Sequence, residues 1–148
     1  MAADSLQLIV VTPERQLLRG QAAEVQLPGQ SGYLGVLPGH APLITELGIG
    51  EFSYHDAGGK ESAHIAIIRG FAEVLPDRVT VLAETAEFDR EIDLERARQA
   101  LERARKRIAA GSTDLDWDRA TAALQRAVVR IRVGEYAEKR RTARVQAP

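Results

Sequence analysis

The segment IDLERARQALERARKRI, residues 92–108, decides the organisation of this chain. Its apolar residues recur at alternating spacings of three and four, which places them on one face of an α-helix. They are Leu94, Ala97, Leu101, Ala104 and Ile108. Asp93 stands just before this pattern and is a residue type that caps helix N-termini. The segment therefore predicts an amphipathic helix that begins after Asp93.

The same spacing returns further along the chain. The break Gly111-Ser112-Thr113 ends the first pattern, and either Asp114 or Asp116 can cap a second helix. The second apolar stripe comprises Trp117, Ala120, Leu124, Ala127 and Ile131. A short link between two such stripes favours an antiparallel helical hairpin. The alanines in both stripes would let the two helix backbones approach closely.

The sequence before residue 93 has a different character. It holds ten of the twelve glycines and five of the six prolines. Short β-rich runs alternate there with turn clusters, a spacing typical of an antiparallel sandwich or a flattened barrel. The predicted strands are Leu6–Val11, Ala23–Leu27, Tyr33–Leu37, Ala63–Ile68, Ala72–Leu75 and Val79–Leu82. The predicted fold class is α+β, an N-terminal antiparallel β-sandwich followed by a C-terminal antiparallel two-helix hairpin.

The distribution of charge changes at the same place. Residues 1–92 hold 6 Lys and Arg against 13 Asp and Glu, whereas residues 93–148 hold 14 against 8. Two coincident shifts in composition indicate two structural units. We therefore predict a β-sandwich domain over residues 1–86, with a linker and the helical hairpin over residues 87–148.

Several classes of function are excluded by what the sequence lacks. Without cysteine there is no disulfide, thiolate nucleophile or cysteine zinc site, and His40, His55 and His64 have no metal-ligand spacing. The motifs of phosphate loops, dinucleotide sites, zinc hydrolases and serine nucleophiles are also missing. We expect no metal, no required cofactor and no catalytic residues, so the chain is not predicted to be an enzyme by itself.

Membrane insertion and nucleic-acid binding are not predicted either. No apolar run approaches the roughly 18 residues of a membrane span, and the N-terminus lacks the basic-then-apolar design of a signal peptide. The two helices carry only Trp117 and Tyr136 as aromatic residues. Basic side chains without interleaved aromatic residues do not form a stacking platform for nucleic acid.

Five arginines should border the groove between the two helices, because each immediately precedes a residue of an apolar stripe. They are Arg96, Arg103, Arg119, Arg126 and Arg130. One interpretation is that they pair with acidic residues along the helix edges, such as Glu95, Glu102 or Asp118. The other is that they clamp a phosphate group, since guanidinium forks match phosphate oxygens in bidentate fashion. The residues alone leave both interpretations open.

Three segments, in this order and at these intervals, resemble the epsilon subunit of bacterial F-type ATP synthase. They are GYLGVLPGHAPLITELGIGEF at 32–52, RGFAEVLPDRVTVLAETAE at 69–87 and IDLERARQALERARKR at 92–107. The resemblance extends from Leu6 to about Val133. It implies a noncatalytic subunit of the central stalk that couples rotation of the gamma subunit to the proton-driven c ring. It also implies a peripheral position at the cytoplasmic face of the bacterial membrane.

The resemblance places the segment Leu37 to Leu43 near the gamma subunit and the c ring. The contact residues it implies are Tyr33, Gly39, His40, Ala41 and Pro42. His40 would serve shape and contact rather than catalysis. Two positions depart from the family pattern. Tyr33 stands where the family often has an acidic residue, and Arg69-Gly70 stands where it often has two glycines, which predicts a slightly different turn before Phe71.

The resemblance makes the helical hairpin the regulatory part. Its helices would extend towards the alpha and beta subunits and inhibit ATP hydrolysis, and the folded hairpin would bind one regulatory ATP. The implied ATP-binding residues are Glu87, Ile92, Asp93, Arg96, Ala97, Arg103, Arg126 and Arg130. The alternative from another functional class is a stand-alone β-sandwich adaptor or nucleotide sensor with a helical dimerisation arm.

Overall fold

The computed structural model describes residues 4–147 of the chain. They form two compact units, the first ending at Glu87 and the second beginning at Phe88. The first unit is built from strands β1 (Leu6–Val11), β2 (Gln16–Gly29), β3 (Gly32–Val36), β4 (Leu43–Asp56), β5 (Ser62–Leu75) and β6 (Arg78–Phe88). A 3₁₀ turn (Asp89–Glu91) and the helices α1 (Leu94–Ala110) and α2 (Trp117–Gln146) follow.

The six strands form one closed sheet in the order β1-β6-β5-β4-β2-β3, with β1 also paired to β2. Closure through β1 gives the β-sandwich, and the predicted fold class is confirmed. One pairing is not antiparallel: β1 runs parallel to β6, with Gln7 opposite Arg78 and Val11 opposite Leu82. Parallel neighbours need a long crossover, and here the other four strands supply it.

Alternation of side chains along the strands explains the core. On β1, Leu6, Leu8 and Val10 are buried and the residues between them are half-exposed. On β6, Val79 and Val81 are buried in the same way. Because successive side chains of a strand point to opposite faces, each of these strands contributes one apolar face to the interior.

Strands β2, β5 and β6 are longer than predicted, and β4 was not predicted. The prediction covered only residues 23–27 of β2 and residues 79–82 of β6. It also divided β5 in two at Arg69-Gly70, where the structure has one continuous strand. Arg69 adopts φ +58 and Gly70 φ +146, so the backbone passes through the left-handed region without leaving the sheet.

The turn between β4 and β5 is organised by one carboxylate. Asp56 Oδ1 accepts hydrogen bonds from the backbone N–H groups of Lys60 at 2.9 Å and Glu61 at 3.2 Å. The bonds from Glu61 and Lys60 hold the pKa of Asp56 below its ordinary value of 3.8, since hydrogen bonds donated to a carboxylate favour its charged form.

Each helix begins just after an aspartate that caps its N-terminus. Asp93 Oδ1 accepts the backbone N–H of Arg96, and Asp116 Oδ1 accepts that of Arg119, each at 3.1 Å. Of the two candidates for the second cap, Asp116 is therefore the one used. Gly111 ends α1 with φ +59, the left-handed conformation that glycine supplies at helix C-termini. Helix α2 continues well past the apolar stripe that predicted it.

Small residues bring the two helices together as an antiparallel hairpin. Ala97 and Ala104 of α1 and Ala120 and Ala127 of α2 are buried. Gly134 lies against Leu94, whose Cδ2 would be 2.8 Å from a Cβ at that position. Trp117 was predicted in this stripe, but its side chain is 53% exposed at the start of α2.

Among the described residues, none of the helices combines sufficient length with sufficient apolar character to cross a membrane.

Candidate functional site

An open groove of about 230 Å³ runs between α1 and α2. Its base is made of alanines, and four arginines line it: Arg103 and Arg107 from α1, with Arg126 and Arg130 from α2. Each pair is spaced i, i+4, which puts both side chains on one face of its helix. The two arginine pairs therefore converge on one groove, which we call the arginine groove.

The lining of the arginine groove contains no carboxylate. Within residues 4–147, Arg103, Arg107 and Arg126 take part in no ion pair or side-chain hydrogen bond, whereas Arg130 has a partner. The edge pairing considered above is not formed with Glu95, whose carboxylate accepts from Gln99 Nε2. Like charges held this close repel one another, and the groove presents a set of guanidinium donors suited to an oxyanion.

The structure brings three of the eight implied ATP-binding residues into this groove: Arg103, Arg126 and Arg130. Arg96 lies seven residues before Arg103, on the same face of α1, but does not line the groove. Ala97 is 4% exposed within the hairpin.

The other three implied residues have different positions. The Asp93 carboxylate is engaged as the helix cap. Ile92 is half-buried and its Cγ2 approaches Gly134. Glu87 is the last residue of the first unit, is half-buried and has an interaction partner of its own.

Arg107 is a groove residue that the sequence analysis missed. It immediately precedes Ile108, which belongs to the apolar stripe of α1. The rule that selected Arg103 would have selected Arg107 too, had it been applied to every stripe residue of α1 and not only to the alanines.

On the β-sandwich, the implied contact segment forms a hydrogen-bonded turn between β3 and β4. The N–H of Gly39, which has φ +89, donates to the Pro76 carbonyl at 2.7 Å, and that of His40 donates to the Leu37 carbonyl at 3.1 Å. His40 Nδ1 lies 2.7 Å from the Ala41 carbonyl. Because a carbonyl only accepts, Nδ1 carries the proton. The imidazole thus stiffens the turn, while Ala41 beside it is exposed.

Tyr33 lies beside a concavity of about 500 Å³ between β3 and the start of β4. Its side chain is 53% exposed, and its hydroxyl oxygen accepts the backbone N–H of Glu51 at 3.2 Å. Leu43 and Ile44 line the same concavity. Pro42, just before β4, is exposed.

A second concavity of about 400 Å³ lies on the outer side of β4, β5 and β6. Phe71 and Leu82 line it and are 55% and 56% exposed, and Ile44 nearby on β4 is 74% exposed. Glu46 lines both concavities, so they are adjacent. Large apolar side chains that remain exposed together are a mark of interaction surfaces. We call Ile44, Phe71 and Leu82 the outer apolar patch.

Both units match models of one protein family. Residues 5–89 match the beta-sandwich domain of the ATP synthase delta/epsilon chain, and residues 90–135 match its long alpha-helix domain. The two units therefore define a two-domain subunit of ATP synthase.

Named relatives agree with the family models. The ATP synthase epsilon chain of Koribacter versatilis is 53% identical over 106 residues, 72% of this chain and 73% of the relative. That of Solibacter usitatus is 55% identical over 103 residues, 70% of this chain and 75% of the relative. The chain thus belongs to the epsilon chains of the ATP synthase delta/epsilon family, which are noncatalytic subunits of the complex.

Solved structures share the fold at lower identity. A chain in the OSCP/F1/c-ring structure of the Euglena gracilis mitochondrial ATP synthase has a TM-score of 0.69 at 23% identity, covering 94% of this chain and 82% of that one. A chain in the Tetrahymena thermophila central stalk/c-ring structure has a TM-score of 0.53 at 11% identity, covering 89% and 95%. At these identities the likeness concerns the fold.

Proposed function

We propose that the chain couples rotation of the gamma subunit to the c ring in the central stalk of ATP synthase, through its β-sandwich. The observation that supports this most is the pair of adjacent concavities that share Glu46, one beside the exposed Tyr33 and the other lined by exposed residues of the outer apolar patch. The solved neighbours belong to an OSCP/F1/c-ring assembly and to a central stalk/c-ring assembly. In such an assembly the chain is peripheral to the membrane, at its cytoplasmic face in a bacterium.

His40 and its turn provide a test of this coupling surface. The His40→Ala variant loses the hydrogen bond from Nδ1 to the Ala41 carbonyl, which is exposed to solvent. Because such a bond contributes only about 0.5–1.5 kcal/mol to stability, the isolated chain stays folded. We expect weaker association with the gamma subunit, measured by co-purification and titration calorimetry. His55→Ala, at the far end of β4, is the matched control. Equal losses of folding and binding would contradict a docking role for His40.

Co-purification also separates this proposal from its alternative. A stoichiometric complex with a gamma-type coiled-coil subunit is the expected result. A stable homodimer without that subunit would favour a stand-alone adaptor with a helical dimerisation arm.

We propose further that the hairpin regulates ATP hydrolysis. Residues 93–140 as one continuous helix would reach about 70 Å at about 1.5 Å per residue, far enough to contact the alpha and beta subunits. The excess of basic residues after residue 92 favours acidic partner segments there. Deleting residues 93–148 should leave assembly and coupling intact and raise ATP hydrolysis. Unchanged hydrolysis at low proton-motive force would remove the inhibitory role and leave the coupling role.

The third part of the proposal is that ATP binds the folded hairpin at the arginine groove. Four converging guanidinium groups and no lining carboxylate favour the triphosphate. A groove of about 230 Å³ is smaller than a typical ligand pocket of about 300–1,000 Å³. The phosphates would therefore occupy it and the nucleoside would lie outside, on the side of Arg96. ATP that binds only the folded hairpin stabilises it by RT ln(1 + [L]/Kd).

Paired variants test the nucleotide site. Arg103→Ala combined with Arg126→Ala should abolish the rise in melting temperature that millimolar ATP gives the isolated chain, and Arg107→Ala should reduce it. Arg105→Ala on the same helix and Arg119→Ala on the other remove equal charge outside the groove and should matter less. Absence of binding heat and of stabilisation in the unmutated chain would refute ATP binding.

A further inference from the structure

The turn that joins β6 to α1 contains a buried charge. Asp89 is 3% exposed and is the one buried charged residue within residues 4–147. A buried carboxylate is tolerated only when it is paired and hydrogen-bonded. Oδ1 accepts the backbone N–H of Arg90 at 2.7 Å, and Oδ2 accepts from the guanidinium of Arg140. The charge of Asp89 is therefore balanced by a residue 51 positions away.

Arg140 belongs to a part of α2 that extends past α1. Gly134 lies against Ile92 and Leu94, at the start of α1, and Arg140 is six residues, about 9 Å, further along α2. The match to the family's helical domain ends at residue 135. The distal end of α2 thus runs beside the joining turn, in a region outside that match.

The turn itself is compact. The backbone N–H of Phe88 donates to Glu91 Oε2 at 2.9 Å, and the Arg90 guanidinium lies 4.3 Å from the centre of the Phe88 ring. The Asp89 carboxylate is therefore held in a small hydrogen-bonded unit. Moving Asp89 into water requires this unit to open.

We propose that the Asp89–Arg140 ion pair is a clasp that fastens the joining turn to the distal end of α2 and opposes separation of α1 from α2. Arg140 is half-exposed, so it can be hydrated readily when the pair breaks, whereas Asp89 can be hydrated only if the turn unravels. The turn and the end of α2 consequently open together. That this opening is also the step that releases an inhibitory hairpin rests on the function proposed above.

Amide hydrogen exchange of the full chain, without nucleotide, tests the clasp. In Arg140→Gln, the amides of residues 88–92 and 136–144 should exchange about tenfold faster or more, since a hydrogen bond to a charged group is worth about 1.5–3 kcal/mol. Arg141→Gln and Arg144→Gln remove the same charge from exposed positions of the same helix and should leave these amides within about twofold of the unmutated chain.

A second variant separates the pair from a general loss of helix stability. Asp89→Asn keeps the size of the side chain and removes its charge, so Arg140→Gln should have little further effect in the Asp89→Asn chain. Equal acceleration in Arg140→Gln and Arg141→Gln, or an undiminished effect of Arg140→Gln beside Asp89→Asn, would overturn the clasp. If Arg140→Gln fails to fold, Arg140→Lys compared with Arg141→Lys gives the same comparison with charge retained.

The assembled ATP synthase then distinguishes the clasp from its consequence. With faster exchange established, Arg140→Gln should lower ATP hydrolysis relative to Arg141→Gln, because an opened hairpin is the inhibitory state. Faster exchange with unchanged hydrolysis would leave the clasp in place and contradict the regulatory role of the hairpin.

Discussion

Among the glycines, Gly70 is the one at which an added Cβ, as in Gly70→Ala, would meet the closest backbone atom. A Cβ at residue 70 would lie 2.1 Å from the Leu82 carbonyl oxygen and 2.8 Å from Ala83 Cα, both backbone atoms of the neighbouring strand β6. The residue also has φ +146, which L-residues rarely adopt. Backbone strain costs about 1–3 kcal/mol and overpacking about 1–3 kcal/mol. We expect a loss of about 4 kcal/mol from their sum.

Two control glycines separate these contributions. Gly32 has nearly the same backbone angle, φ +141, but open space around its missing Cβ, so Gly32→Ala should cost only the strain, about 1–3 kcal/mol. Gly20 has neither a positive φ nor an atom close to its missing Cβ. Gly20→Ala should therefore stabilise β2 by about 0.5 kcal/mol. Urea denaturation followed by circular dichroism gives all three values. A loss in Gly70→Ala no larger than that in Gly32→Ala would refute the steric argument.

Three further predictions concern caps, acid stability and backbone strain. Asp93→Ala and Asp116→Ala should each destabilise the hairpin by about 1 kcal/mol, measured as lower melting temperatures, whereas Asp114→Ala should change little. The Asp56 carboxylate, whose pKa is lowered from 3.8, stabilises the fold above that pH, and the benefit disappears as pH falls through the lowered pKa. Asp56→Ala should therefore differ from the unmutated chain at neutral pH and converge with it in stronger acid; a constant difference in pH-dependent unfolding would contradict this. Arg69→Gly should raise the unfolding free energy by about 0.5–1 kcal/mol, because the left-handed strain it relieves, about 1–2 kcal/mol, outweighs the stability lost through the greater freedom of the unfolded chain, whereas Arg69→Ala should not.

Periodicity predicted the helices well because both bury one narrow stripe. The caps at Asp93 and Asp116 and the break at Gly111 follow from local chemistry that the sequence displays. The apolar pattern did not predict the part of α2 after residue 137. Its residues there are exposed on every side, and a helix without an apolar stripe shows no hydrophobic periodicity.

Strands were predicted where burial alternates and missed where it does not. On β4 the exposed face carries Ile44 and the buried positions include Gly50, so apolar residues do not mark the interior. Arg69-Gly70 resembles a turn, yet the strand continues because the left-handed residues are tolerated within the ladder. For the groove, sequence spacing identified Arg103, Arg126 and Arg130. Nothing in the sequence indicated that Phe71 is exposed. An apolar residue in a strand looks the same in sequence whether it faces the interior or the outer surface.

The position of β1 has a consequence for synthesis of the protein. Of the six strands, the ribosome makes β1 first and its parallel partner β6 last. Leu8 of β1 can therefore pair with Val79 of β6 only after the other strands have been made. Between Val11 and Leu82 the ribosome adds 71 residues, which takes roughly 4–14 s at translation rates of about 5–20 residues per second. During that interval one side of β1 has only β2 to pair with. The sheet can therefore close only after β6 has been synthesised, and until then β1 presents an unpaired backbone edge.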